Sequence, residues 1–570
     1  MNVTPMNKRF LIGSAALLYC ALPVLAQKTD STHTRTVVVE QDYIPHLSTA
    51  KKIDVLPSIT TPTLAPGTVT YATQPRPTTS IPADLMGSMG RKEEQSVASP
   101  GYLRLGWGNY NNLDFRADYR LHLSPRSNLR LGAALDGMNA RLEHSPSWKA
   151  HYYRTTVQAD FTHRLADTEL GMGGRFGLSN FNFLPGSTAG KQKFTSADIH
   201  ASLNHRPEDA MFSYGGQLEL KYYNRQHNLL LPERSSIGER ILGLQGFVSA
   251  RLSEEQTLAI HADLRHHHYA LGSALAKALN GQGLDNYLWA TLSPRYTVST
   301  DDWSLQLGAK TVLSPGFGTA FRLAPDLLAS YALGDNYRLY ASVTGGATVN
   351  DFRQLEAANP YALMGTRLDA NGQTELLRPV DSFEQLNASV GVQGSPLPEL
   401  RFHIYAGHRR LSDMLSYLFE PQPAATSPAQ RVEFLTSPKA HNSYVGASLG
   451  YTYRNRWGAE VHYRHLRWKA ENSLALVTQP THKLDLSAFV RPIDKLSVEA
   501  GLTHRTHHRV GTYALRMPDI VDLHARIDYR LFDALAIYAQ GHNLLGKDYN
   551  HFHGYPAEGA SLLVGCSLQF

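Results

Sequence analysis

The side chains best equipped for chemistry in this 570-residue sequence are its 26 histidines. Three groupings stand out: His266-His267-His268, His507-His508, and His551 with His553. A neutral imidazole ligates transition metals or haem iron, and histidines two apart on a strand share a face, so such groups would suit metal or haem capture. The plainer reading places them at wet polar positions on loops and walls. We adopt the plainer reading, because no cysteine stands with them and no helix-borne metal motif is present. Carboxylates, serines and histidines are scattered so evenly that chance triads are unavoidable and carry no meaning. No phosphate-binding glycine loop or dinucleotide fingerprint occurs. The sequence therefore predicts no enzyme, no cofactor, and no catalytic, cofactor-binding or metal residue.

The elements that would hold these groups come next. Only 18% of residues are charged and 42% are hydrophobic, yet no apolar run long enough for a membrane-crossing helix follows the N-terminus. Of the two cysteines, Cys20 falls in the leader, so Cys566 has no partner and a disulfide framework is excluded. A net charge of +6 is small for this length and gives no reason to expect nucleic acid. Lys8 and Arg9 precede an apolar stretch from Phe10 to Val24, and Val24-Leu25-Ala26 has the small-residue pattern of a cleavage site. Residues 1–26 read as a secretory signal peptide and the mature chain as exported. Residues 27–100 carry Pro57, Pro62, Pro66, Pro75, Pro77 and Pro82. Proline this dense prevents a packed sheet or helix, so the segment reads as extended, either periplasmic or running inside a larger structure.

From residue 101 onward the pattern has period two. Leu113, Phe115, Ala117, Tyr119, Leu121 and Leu123 line one face, while Asp114, Arg116, Asp118, Arg120 and His122 line the other. The same split recurs in Leu129–Asp136, Lys483–Val490 and Leu496–Thr503. Strands of this kind run about 10–13 residues, longer than the ~5–6 typical of soluble sheets and suited to a tilted bilayer crossing. The apolar face then meets lipid and the charged face a wet lumen.

Ten tight polar turns separate the alternating runs, among them Ser124-Pro125-Arg126-Ser127, Arg206-Pro207-Glu208-Asp209, Gly334-Asp335-Asn336 and Arg491-Pro492-Ile493-Asp494. Longer connections lie between the hairpins, at about 350–381, 413–440, 271–285 and 507–519. Short turns on one side and long loops on the other are the asymmetry of outer-membrane barrels. Ten hairpins, with a first strand near Tyr102–Trp107 and a last near Ser561–Phe570, predict an all-β transmembrane antiparallel barrel of about 22 strands over residues 101–570. Leu562, Val564, Cys566, Leu568 and Phe570 share a face of the last strand. An amphipathic final strand ending in an aromatic residue resembles the signal that the barrel-assembly machinery reads.

The run Ala539-Gln540-Gly541-His542-Asn543-Leu544-Leu545, then Tyr549, Gly554-Tyr555-Pro556 and Gly559, resembles the closing segment of TonB-dependent receptors. Asn350-Asp351-Phe352-Arg353-Gln354-Leu355 with Asn359-Pro360-Tyr361 is similar to an extracellular loop of that family. The resemblance covers residues 100–570 and is sharpest over the last thirty. It implies solute or nutrient transport across the outer membrane, with TonB or a surface lipoprotein as partner; the Thr36–Glu40 run could be the strand that engages TonB or an ordinary extended segment. One departure is large: the Pro-rich residues 27–100 are too few for the family's globular plug. The chain thus looks like a plugless, Bacteroidetes-like receptor barrel. Folded-in loops such as 350–381, the N-terminal segment or a partner would have to fill the lumen. The alternative is a structural or accessory barrel serving another outer-membrane complex.

Overall fold

The computed structural model describes residues 99–142, 145–184, 191–207, 210–227, 235–368, 374–420, 431–510 and 516–570. The leader, the Thr36–Glu40 run and all but the last two residues of 27–100 lie outside the described residues. The described chain is a closed antiparallel barrel of 22 strands. The first seven are β1 (Gly101–Gly108), β2 (Leu113–Ser124), β3 (Ser127–Leu142), β4 (Ser145–Leu165), β5 (Thr168–Asn182), β6 (Lys191–His205) and β7 (Phe212–Arg225). Then come β8 (Ile237–Arg251), β9 (Gln256–Leu271), β10 (Tyr287–Ser299), β11 (Trp303–Leu313), β12 (Phe321–Leu333) and β13 (Tyr337–Thr348). The wall is completed by β14 (Ser382–Leu397), β15 (Leu400–Glu420), β16 (Arg431–Tyr453), β17 (Trp457–Ala470) and β18 (Pro480–Ile493). The last four are β19 (Leu496–His507), β20 (Ile520–Arg530), β21 (Leu535–His542) and β22 (Ser561–Gln569). Each strand pairs with its successor, and β22 returns to β1 from Tyr102↔Gln569 to Gly108↔Leu563. Closure leaves no unpaired edge, which is the only way a sheet can satisfy its backbone in hydrocarbon.

The predicted strand count and alternation are both present. Leu105, Val157, Ile199, Leu244, Ile404 and Val564 project outward, each more than 40% exposed. Arg104, Asp114, Asp198, Glu239 and Arg409, on the opposite faces of the same or neighbouring strands, are buried or half-buried. An apolar skin this extensive is unstable in water and requires a hydrocarbon surround. Among the described residues, no helix is long and apolar enough to cross a membrane.

The predicted 413–440 loop is mostly strand. β15 and β16 stay paired from Leu400↔Tyr451 out to Glu420↔Arg431, so the connection shrinks to residues 421–430. Two features hid this in the sequence. Asp413 takes a left-handed backbone (φ 52°) at the point where the ladder skips Pro438, which has no N–H to give. Beyond that skipped pair the register continues unchanged and both faces are covered, with Met414, Tyr417 and Leu418 all buried, so the period-two pattern lapses. The 271–285 connection likewise contains a short helix, α1 (Ser273–Ala278).

Candidate functional site

The long-loop end of the lumen is spanned by the 350–381 connection. Its core is helix α2 (Phe352–Ala358). Asp351 caps the helix, its Oδ1 accepting from the Gln354 N–H at 2.8 Å. Asn359 ends it, taking Leu355 O with its own N–H while its Oδ1 accepts from the Tyr361 N–H at 2.9 Å. Pro360 then prevents continuation. Phe352 and Leu355, three apart and so on one helical face, are completely buried. Burial of this kind contributes about 1.5–3 kcal/mol per side chain.

The loop is tied to walls that face each other across the lumen. On one side, the Phe352 N–H donates to Glu239 Oε2 on β8 at 2.7 Å, Arg353 pairs with Asp198 on β6, and Arg225 on β7 donates to Ala362 O at 2.7 Å. On the other, the Leu363 N–H donates to Val432 O on β16 at 2.8 Å. Tyr361 meets Phe181 edge-on and lies parallel to Tyr555 of the β21–β22 connection. Asp381 clamps the two ends of the loop together. Its Oδ1 accepts from the Asn350 N–H at 2.9 Å, and it faces Arg378 at 3.5 Å while its own carbonyl accepts from Arg322 at 3.0 Å. The Arg378 guanidinium stacks over Phe317 and Tyr287. Burial raises the Asp351 and Asp381 carboxyls above the usual range, and pushes Glu356 on α2 up to about 7 against the pull of Arg154.

Among the described residues, two of the concavities in the lumen wall lie beneath and beside the loop. The larger, about 670 Å³, lies under α2 between β9 and β15. Each of its four cations lies beside an acid: Arg265 by Asp263, Arg295 and Lys310 both by Asp326, and Arg409 by Glu384. The smaller, about 570 Å³, runs along β13–β19 and is lined by Tyr340, Tyr405, Tyr444, Arg464, Lys483 and Arg505 among others.

The histidine groupings are dispersed by the strand alternation. His267 points inward, fully buried between Glu239 (3.3 Å) and the Tyr287 ring, while His266 and His268 face the other way. His507 is buried at the end of β19, its N–H on Asp519. His551 and His553 sit in the β21–β22 connection, His551 at 4.0 Å from Glu558. Burial lowers the pKa of His508 and His553. Among the described residues no three His, Cys, Asp or Glu side chains gather as a metal site. The sequence singled out the Asn350–Tyr361 stretch, but it assigned no binding residue. The lining of both cavities is visible only once cross-strand register is known.

The closed 22-strand antiparallel ring is a fold this chain shares with solved siderophore receptors. The siderophore receptor PirA from Acinetobacter baumannii superposes with a TM-score of 0.63 at 12% identity, over 84% of this chain and 81% of that one. A mutant ferric enterobactin receptor, PfeA from Pseudomonas aeruginosa, in complex with enterobactin gives 0.62 at 13% identity, over 84% and 82%. The ferric-catecholate import receptor Fiu from E. coli K12 gives 0.59 at 13%, over 83% and 82%. Likeness at such identities establishes the fold. No protein-family model matches the sequence, and no curated protein matches it.

Proposed function

We propose that the chain is an outer-membrane barrel that binds a solute in its lumen and takes part in moving it across the membrane. The observation that carries this reading is the pairing of an apolar exterior with a cavity-bearing polar interior beneath a loop-covered mouth. The likeness to siderophore receptors supports it. In the same reading residues 1–26 are a cleaved signal peptide, residues 27–100 take the place of a globular plug, and the chain has no enzymatic activity. The strand ending at Phe570 serves the barrel-assembly machinery, and TonB or a surface lipoprotein is the partner. A second reading, an accessory barrel of a larger outer-membrane assembly, is favoured by how deeply loop 350–381 is anchored on both walls.

Planar-bilayer conductance separates the two. The full chain, a variant lacking residues 27–98 and a variant with 353–379 replaced by a Gly/Ser linker are compared after a gel-shift check of folding. Currents in either variant support uptake through a gated lumen. Silence in all three removes the uptake reading and leaves the accessory barrel.

A further inference from the structure

The register of the barrel sets three cations side by side. Tyr405 on β15 stands opposite Gly446 on β16, Gly446 opposite Arg464 on β17, Arg464 opposite Lys483 on β18, and Lys483 opposite Arg505 on β19. All of these positions lie on the inward face and line the smaller cavity, apart from the glycine. Like charges directly opposite one another on adjacent strands are destabilising, so a bare row of three is a costly arrangement unless something of opposite charge meets it. Arg505 is answered: Asp485, on the same face as Lys483, accepts from its Nη2 on both carboxylate oxygens at 2.7 and 2.8 Å. Arg464 and Lys483 are not; among the described residues no carboxylate lies within ion-pair distance of either. This contrasts with the larger cavity, where each cation meets an acid.

Arg464 is nonetheless held firmly. Its Nε donates to the Tyr405 hydroxyl at 2.8 Å, and its guanidinium lies over the rings of Tyr405 (5.2 Å) and Tyr444 (5.7 Å). Tyr444 is fixed in turn by donating to Asn387 Oδ1 at 2.8 Å. The Tyr405 ring needs the bare backbone of Gly446 beneath it, since a Cβ there would come within 2.3 Å of the ring. The guanidinium is thus positioned by neutral groups, which leave its charge uncancelled. A concave wall carrying two unanswered cations focuses its field into the cavity and raises the local concentration of anions.

We propose that the Arg464–Lys483–Arg505 row is a binding site for a small carboxylate- or phosphate-bearing solute. The site faces the lumen partway along the wall, away from the outward face, so a lipid headgroup has no route to it. The inference deepens the uptake reading, on which it rests for solute entering the lumen, by naming the class of solute.

The test is calorimetric titration of the detergent-purified full chain with pyrophosphate and with citrate, and with spermidine as the cationic control. Arg464→Gln, Lys483→Gln and the double variant are measured beside wild type after a gel-shift check of folding. We expect an anion to bind wild type, to weaken as salt is raised, and to bind each single variant about tenfold less tightly, as expected for one lost charge-assisted hydrogen bond. The double variant should not bind. Failure of wild type to bind either anion, equal binding by the double variant, or equal binding of spermidine would each overturn the proposal. Anion binding to a barrel that stays silent in bilayers upholds the row and removes the uptake reading, so the two can fail separately.

Discussion

The rings of Tyr361 and Tyr555 stack 3.7 Å apart and within 9° of parallel. One belongs to the connection after β13 and the other to the connection before β22, so this single contact joins loops from distant parts of the sequence across the mouth. Phe552 and Trp148 meet the pair edge-on. Replacing Tyr361 with Ala should weaken docking of loop 350–381 by about 3 kcal/mol, the lower end for truncating a buried aromatic. Limited proteolysis in detergent should then cut within the loop sooner than in wild type. An unchanged digestion pattern would show that the stack is not what holds the loop.

Asp381 offers a sharper test, because it closes the base of the loop and faces the buried Arg378. Asp381→Ala leaves that guanidinium buried without its carboxylate, a change that costs about 3–5 kcal/mol. Urea unfolding in lipid vesicles should show the loss, with Asp381→Asn intermediate because the amide oxygen still accepts from the Asn350 N–H.

Glu356 makes docking depend on pH. Its carboxyl is raised from its ordinary 4.5 to about 7 by burial on α2. The protonated form is the one the docked loop prefers. Its contribution is therefore complete below about 4.5 and is lost as pH rises through about 7. Hydrogen exchange of the α2 amides should report tighter docking at pH 5 than at pH 8, after correction for intrinsic rates. Glu356→Gln should flatten that difference, and a difference of undiminished size in the variant would assign the effect elsewhere.

Much of the architecture was readable from the residues. Complete alternation, as in Leu113–Leu123, gave the strands, and ten turn signals gave their number. The reading lapsed where one face of a strand stopped meeting lipid. Met414–Leu418 is covered on both sides, so its hydrophobic pattern no longer alternates and the sequence there reads as loop. Loop 350–381 was named as a filler of the lumen, yet its anchors, such as Asp198 and Glu239, lie more than a hundred residues away and carry no local mark of that role. The Arg464–Lys483–Arg505 row was invisible for a related reason. Each residue looked like an ordinary inward polar position until register placed the three in line.

Gly446 tests how tightly the wall is packed behind that row. Gly446→Ala puts a methyl group into the Tyr405 ring, so the ring must shift or the strands part. A cost of about 1–3 kcal/mol is expected, typical of overpacking, measured as a lowered urea midpoint. The Arg464 environment should be disturbed with it.

The outward face is tested at Leu244, midway along β8 and 54% exposed. If hydrocarbon surrounds it, Leu244→Arg should cost about 2–4 kcal/mol of folding stability in vesicles. The same replacement on a surface facing water would cost almost nothing, so an unaltered unfolding curve would contradict the membrane assignment.

The ring is fastened by its smallest pieces. β1 and β21 have eight residues each and β22 nine, whereas β15 and β16 run to 21 and 23. A tube stitched this unevenly has a built-in tear line. Under mechanical load or thermal stress the wall should part first beside β22, while the tall β15–β16 ribbon keeps its zipper shut.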